Sequence, residues 1–132
     1  MAVENMTASR AADLMSLATL IEEAGAAGDE AARHDAHTNF HLSLYSGCDF
    51  PALVDMIQAV WVRFPWDELL ALPGLRTSLD HREIAILAAS GDAAAAAARL
   101  REHLHSVRDA LAAVVAARRD DGLLNGTEPS LT

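Results

Sequence analysis

The stretch that organises the chain reads Arg33-His34-Asp35-Ala36-His37-Thr38-Asn39-Phe40-His41, and it holds three of the six histidines in the sequence. At about 100° per residue of α-helix, these three histidines share one face with Leu44, while Asp35 points away from that face. Asp29 is a suitable cap before the stretch, and Gly47 suits the left-handed position after it. The stretch therefore predicts a helix that turns an imidazole-rich face toward the rest of the molecule.

The composition of the 132-residue chain favours a single all-α domain. Hydrophobic residues make up 52% of it and aromatic residues only 5%, because most of the apolar excess is alanine. No run of apolar residues is long enough to span a membrane, and the N-terminus lacks the features of a signal peptide. The single cysteine, Cys48, cannot form an internal disulfide. We therefore expect a cytoplasmic protein without a membrane partner.

The charge balance excludes one class of partner. The formal net charge is −9, and all ten basic residues are arginines. A chain with this balance is unsuited to binding nucleic-acid phosphates through its overall field. We expect no direct nucleic-acid binding by this chain.

Apolar spacing and capping residues predict an antiparallel helical bundle of about five to six helices. Residues 1–7 are predicted to be a disordered start, 8–120 the helical domain and 121–132 a flexible tail. On the third helix, Leu53, Met56, Ile57, Val60, Trp61 and Phe64 form a stripe that is predicted to face the core. The first predicted helix runs from Thr7 or Ser9 to Gly25–Gly28, the second from Asp29 to about Ser46, and the third from Asp49–Pro51 to a break at Pro65. A short helical turn is predicted over Trp66–Leu72. The last two helices are predicted from Thr77 or Ser78 to about Ala89 and from Ala93 to about Arg119.

Four histidines are predicted to lie on inward helix faces. His37 and His41 are four residues apart, a spacing that places two imidazoles close enough to bind one metal ion. Such a pair alone is more often a polar surface feature. His81 and His103, however, lie on apolar stripes of two later helices, and a buried imidazole must satisfy both of its ring nitrogens. Two interpretations remain open: separate core histidines bonded to backbone or water, or one metal site made by all four.

Two motifs resemble the FCD domain, the all-helical effector-binding C-terminal domain of FadR-type GntR regulators. The family pattern D-x-x-F-H-x-x-L stands here as His37-Thr38-Asn39-Phe40-His41-Leu42-Ser43-Leu44. A second pattern, which begins E-H-x-x-I and continues through G-D to H-L, stands here as Asp80-His81-Arg82-Glu83-Ile84, then Gly91-Asp92 and His103-Leu104. The resemblance covers roughly residues 8–117. It implies an effector-binding domain. We expect this domain to stand alone without a winged helix-turn-helix, and the alternative is that the chain is a fragment of a regulator.

The resemblance also implies a metal site. Metal-binding FCD domains hold a divalent ion with one aspartate and three histidines. Carried over by position, the ligands are His37 in the place of the aspartate, with His41, His81 and His103. Neutral imidazoles bring no charge, so the ion keeps its full 2+ charge and attracts an anion. All-nitrogen ligation favours Zn, with Ni, Cu or Co as alternatives to it, over Mn or Mg.

Three hypotheses about function follow. In the first, the domain binds a small carboxylate metabolite through the metal, with Arg63 on the ligand's other end. In the second, the domain is a metal-dependent enzyme with Lewis-acid chemistry and His34 as general base, and Asp80, Glu83 and Tyr45 are further catalytic candidates. In the third, the metal is structural, and apolar faces left uncovered by a missing first helix are buried in a homodimer.

Overall fold

The computed structural model describes residues 6–47, 49–64 and 78–124. Within these ranges the chain forms helices and no strand, which confirms the predicted all-α bundle. The predicted turn over residues 66–72, the break at Pro65 and the cap at Thr77 lie outside the described residues. The five helices are α1 (Ala8–Ala27), α2 (Glu30–Tyr45), α3 (Pro51–Arg63), α4 (Ser78–Ala89) and α5 (Ala93–Leu124).

Short polar and glycine residues set the helix boundaries. The side chains of Thr7 and Asp29 each accept a hydrogen bond from the backbone amide three residues later, at 3.2 and 3.0 Å. These bonds satisfy amides that have no partner inside the first turn. Gly28 ends α1 at φ 71°, and Gly91 joins α4 to α5 at φ 80°, both in the region that favours glycine. The tight turns make α1 antiparallel to α2 and α4 antiparallel to α5.

The core forms where α1 packs on α2 and α4, and where α4 packs on α5. Alanines on all four of these helices allow the backbones to approach closely. Arg82 on α4 donates two hydrogen bonds of 2.7 Å to the Glu22 carboxylate on α1, which fixes the two helices at the edge of the core. The buried core residues are Leu14, Ala18, Ile21, Ala36, Phe40, Leu44, Ile84, Ala85, Ala88 and Ala96.

The prediction that the α3 stripe faces the core is wrong for most of its length. Trp61 is buried, but the side chains of Met56 and Val60 are 68% and 66% exposed. Among the described helices, α3 packs mainly on α2, and it does so through Trp61. Helical periodicity identifies an apolar face, but it does not tell whether another element covers that face.

The last helix is longer than predicted, because α5 continues through Asp120-Asp121-Gly122 to Leu124. A glycine inside a helix costs only about 1 kcal/mol relative to alanine, so it does not by itself end one. The prediction that His103 lies on an apolar stripe is confirmed, because His103 is buried and Leu100, Val107 and Leu111 on the same face of α5 are partly buried. In the described part of the chain, every helix is too short or too polar to span a membrane.

Candidate metal centre

Three helices bring four histidine rings together inside the bundle. His37 and His41 come from α2, His81 from the first turn of α4 and His103 from the middle of α5, and none is more than 3% exposed. One ring nitrogen from each lies within 4.8 Å of the other three. Nitrogens bound to one ion at about 2.1 Å are at most about 4.2 Å apart. Small side-chain movements would therefore place all four nitrogens on a single ion.

The rings converge closely. The Nε2 atoms of His41 and His81 are 3.0 Å apart, close enough for one to donate a hydrogen bond to the other. The ring centres of His81 and His103 are 4.7 Å apart, and those of His37 and His41 are 4.8 Å apart. A metal ion must displace the proton that His41 and His81 share, because a ligand nitrogen needs its lone pair.

Burial keeps three of these imidazoles, those of His37, His41 and His103, in the neutral form. It lowers the pKa of His37 to about 3, and nearby cationic groups add to the effect. Burial lowers the pKa of His41 well below its ordinary value, and it also lowers the pKa of His103 although Asp80 acts in the opposite direction. Neutral imidazoles are the form that binds a metal, so the environment prepares the rings for ligation at pH 7.

Two of the rings have partners that fix their orientation. His103 donates from Nδ1 to the Asp80 carboxylate at 3.1 Å. The Nδ1 atom of His41 lies 3.2 Å from the Tyr45 hydroxyl, and burial raises the pKa of Tyr45 to about 12, so that it stays a neutral phenol. In both rings Nε2 is left to face the other histidines. Histidine ligands of metals commonly use their second nitrogen in this way.

Trp61 covers the α2 side of the centre. Its ring centre lies 5.6 Å from that of His37 and 4.8 Å from that of His41. The indole N–H donates to the Thr38 hydroxyl at 3.1 Å, which fixes the ring over the two imidazoles. The sequence placed Trp61 on an apolar stripe without a link to the histidines. The available signal was that, in that stripe, only Trp61 has a side-chain N–H, which needs a hydrogen-bond partner when it is buried.

The other predicted site residues lie at the margin of the centre or beyond it. His34 is partly buried one turn before His37 on α2, near enough for its charge to lower the pKa of His37. Arg33 also lies one turn before His37, and its side chain is 14% exposed. Its positive charge likewise lowers the pKa of His37. Arg63 is exposed, and it is about 200° around α3 from Trp61. The roles predicted for His34 and Arg63 stay predictions.

A groove of about 500 Å³ lies between α1 and α2, but it is separate from the histidines. Its walls include Leu17, Leu20, Asp35 and Asn39, and none of its lining residues is a histidine. Asp35 and Asn39 lie on a different face of α2 from His37 and His41, so this groove is not an entrance to the centre.

A sequence profile of the FCD domain matches residues 1–106, which is most of the chain and includes all four buried histidines. The chain belongs to the FCD domain family. The match confirms the resemblance drawn from the two motifs. No curated protein and no solved structure matches the chain significantly. In this FCD domain, α5 continues as a helix for 18 residues beyond the matched region, from 107 to 124.

Proposed function

We propose that this FCD domain binds a divalent transition metal through His37, His41, His81 and His103, and that the metal holds the carboxylate of a small organic acid. One observation carries the proposal: the four buried imidazoles offer nitrogens that all lie within 4.8 Å of one another. Four neutral imidazoles in separate core positions would each need their own polar partners, whereas one ion serves all four.

The donor set favours particular metals. Imidazole nitrogen suits Zn, Ni, Cu and Co, while Mn and Mg prefer oxygen ligands. Zinc is our first choice because it is commonly bound by histidine nitrogens. The ion would carry its full 2+ charge in a buried place, since its ligands are neutral. The net charge of −9 on the chain repels anions at long range, so the attraction for a carboxylate would come from the metal itself.

FCD domains bind small-molecule effectors, which supports a metabolite rather than a macromolecule as the ligand. A second cation on the protein would hold the far end of an acid with two polar ends. Arg63 is the residue proposed from the sequence. Arg33 is a second candidate, because it lies one turn from His37 and is mostly buried. The variants Arg33→Gln and Arg63→Gln separate the two candidates. Loss of the arginine that holds the acid should weaken binding of the acid while the metal content stays unchanged.

We further propose that the domain is a cytoplasmic homodimer that does not itself bind nucleic acid. Large apolar side chains on α3 and at its N-cap support the dimer, with Phe50, Met56 and Val60 each more than 60% exposed. Large exposed apolar surfaces are common at protein interfaces. Ultracentrifugation of the wild type and of Met56→Glu tests the dimer, since a charge in the interface would give monomers.

The central test is metal content. The protein is purified without chelator, its metals are measured by mass spectrometry, and organic acids are screened for a shift in melting temperature with and without metal. We expect about one ion per chain, no ion in His103→Ala, and acid-dependent shifts only in the metal-loaded protein. His105→Ala is the matched control, because His105 lies on the same helix but is exposed. Undiminished metal in His103→Ala would contradict the four-histidine centre.

A further inference from the structure

A chain of polar contacts leads outward from His103 to the surface of the bundle. His103, 1% exposed, donates from Nδ1 to one oxygen of the Asp80 carboxylate at 3.1 Å. The other oxygen of Asp80 accepts a hydrogen bond from Arg99. Arg99 also donates from Nε to the Glu83 carboxylate at 2.6 Å. These contacts join α4 to α5 beside the four rings.

The Asp80 carboxylate decides which nitrogen of His103 carries the proton. A carboxylate can only accept hydrogen bonds, so the ring must donate from Nδ1. The lone pair is then on Nε2, the nitrogen left for a metal. Asp80 directly precedes His81, so one turn of α4 supplies one ring of the centre and orients another.

Arg99 holds Asp80 in the position that this arrangement needs. An aspartate side chain has several rotamers, and in the one that Asp80 adopts Oδ2 contacts His103. The Arg99 guanidinium is always charged and binds both Asp80 and Glu83, so it is itself held at two points on α4. Its side chain is 23% exposed, which places it between the buried ring and the solvent.

We propose that Arg99 and Asp80 form a positioning relay that sets the tautomer and orientation of His103 for metal binding. This inference rests on the proposed function, because it assigns roles toward the same ion. Neither residue touches the metal. Asp80 acts through His103, and Arg99 acts through Asp80. Loss of a partner of this kind typically lowers metal affinity about 10- to 100-fold.

The test compares Zn²⁺ affinities, measured by competition with a chromophoric chelator, and the visible spectra of the Co²⁺-loaded proteins. Asp80→Asn should lower the affinity about 10- to 100-fold and change the Co²⁺ spectrum, because an amide can present its NH₂ group to the ring. Arg99→Gln should lower the affinity less, by about 10-fold. Arg99→Lys should recover part of the loss. In the Asp80→Asn background, Arg99→Gln should have no further effect, since it acts only through Asp80.

A matched control separates positioning from general loss of stability. Glu22→Gln removes another ion pair between helices, the one with Arg82, and takes no part in the contacts of Asp80 or Arg99. It should keep Zn²⁺ affinity within about 2-fold of the wild type and leave the Co²⁺ spectrum unchanged. Glu83→Gln removes one of the two carboxylates that hold Arg99, so its effect on Zn²⁺ affinity should be smaller than that of Arg99→Gln. Circular dichroism of the metal-free variants verifies that each is folded. If Asp80→Asn does not fold, the comparison of Arg99→Gln with the wild type is the test.

The outcomes distinguish the two proposals. A wild type that binds Zn²⁺, with His103→Ala that does not, upholds the metal centre. If Arg99→Gln and Asp80→Asn then bind Zn²⁺ as tightly as the wild type, the relay is wrong and the metal centre stands. If the wild type binds none of Zn²⁺, Co²⁺, Ni²⁺ and Cu²⁺, both proposals are wrong. An additive loss in the double variant would also refute the relay, since Arg99 would then act by another route.

Discussion

Mild acid should destabilise the metal-free protein because of its buried histidines. In the unfolded chain a histidine takes up a proton near its ordinary pKa of 6.5, whereas in the folded protein the pKa of His37 is about 3. Below pH 6.5 the unfolded state therefore binds more protons, and the free energy of unfolding falls by about 1.36 kcal/mol per pH unit for this group. The loss begins near pH 6.5 and is complete near pH 3.

The magnitude at pH 5 follows from the 1.5 pH units between pH 5 and the ordinary histidine pKa of 6.5. His37 alone should cost about 2 kcal/mol there relative to pH 7, on the basis of this linkage. His41 and His103 have pKa shifts in the same direction and should add to it. A loss of this size is large against the total stability of about 5–15 kcal/mol that is typical of a small domain.

The assay is urea unfolding followed by circular dichroism, with a chelator present, at pH 7 and pH 5. We expect the wild type to lose at least about 2 kcal/mol, and His37→Leu to lose about 2 kcal/mol less than the wild type. His105→Leu, at an exposed position, should behave as the wild type. Equal losses in the wild type and His37→Leu would refute the reasoning, because burial of that ring would then have no consequence for proton uptake.

Three further predictions concern the frame and the cover of the centre. Glu22→Gln should lower the urea midpoint at pH 7, and this effect should shrink as the pH falls below 4.5, since the hydrogen bond from Arg82 lowers the pKa of Glu22 and the pair's contribution is lost as acid protonates the carboxylate. Phe40→Ala, at a fully buried position, should cost about 3–5 kcal/mol in the same assay, and a loss below about 1 kcal/mol would show that the core closes around the cavity. In a Trp66→Phe background, Cu²⁺ should quench the fluorescence of Trp61 at one equivalent, and His103→Ala should abolish that quenching. Unchanged fluorescence would place the ion away from the Trp61 ring.

The convergence of the four histidines could be predicted because each follows the apolar periodicity of its helix. His103 occupies a position in a stripe with Leu100 and Val107, so wherever that stripe packs, the ring must follow. The same rule failed for α3. Met56 and Val60 continue the face of Trp61, but an apolar face becomes core only where a neighbour covers it, and neighbours are set by tertiary packing rather than by periodicity.

The relay and the end of α5 could not be predicted from the sequence, for different reasons. Asp80 and Arg99 are 19 residues apart on separate helices, and a charged pair at that separation has no local pattern. Asp120-Asp121-Gly122 has the composition of a helix end, but a glycine ends a helix only when it adopts a left-handed conformation. Gly28 does so at φ 71°, whereas α5 continues through Gly122.

The meeting of His41 and His81 has a kinetic consequence. Their Nε2 atoms are in contact, although the two residues are 40 positions apart in the sequence. Both rings reach the centre only when α2 and α4 pack on α1. Because closing so long a loop is costly, we expect a bond through one ion between such distant positions to form late in folding, after the helices have assembled. Interactions that form after the transition state slow unfolding and leave the folding rate nearly unchanged. A bound ion should therefore lengthen the lifetime of the folded FCD domain far more than it hastens its formation.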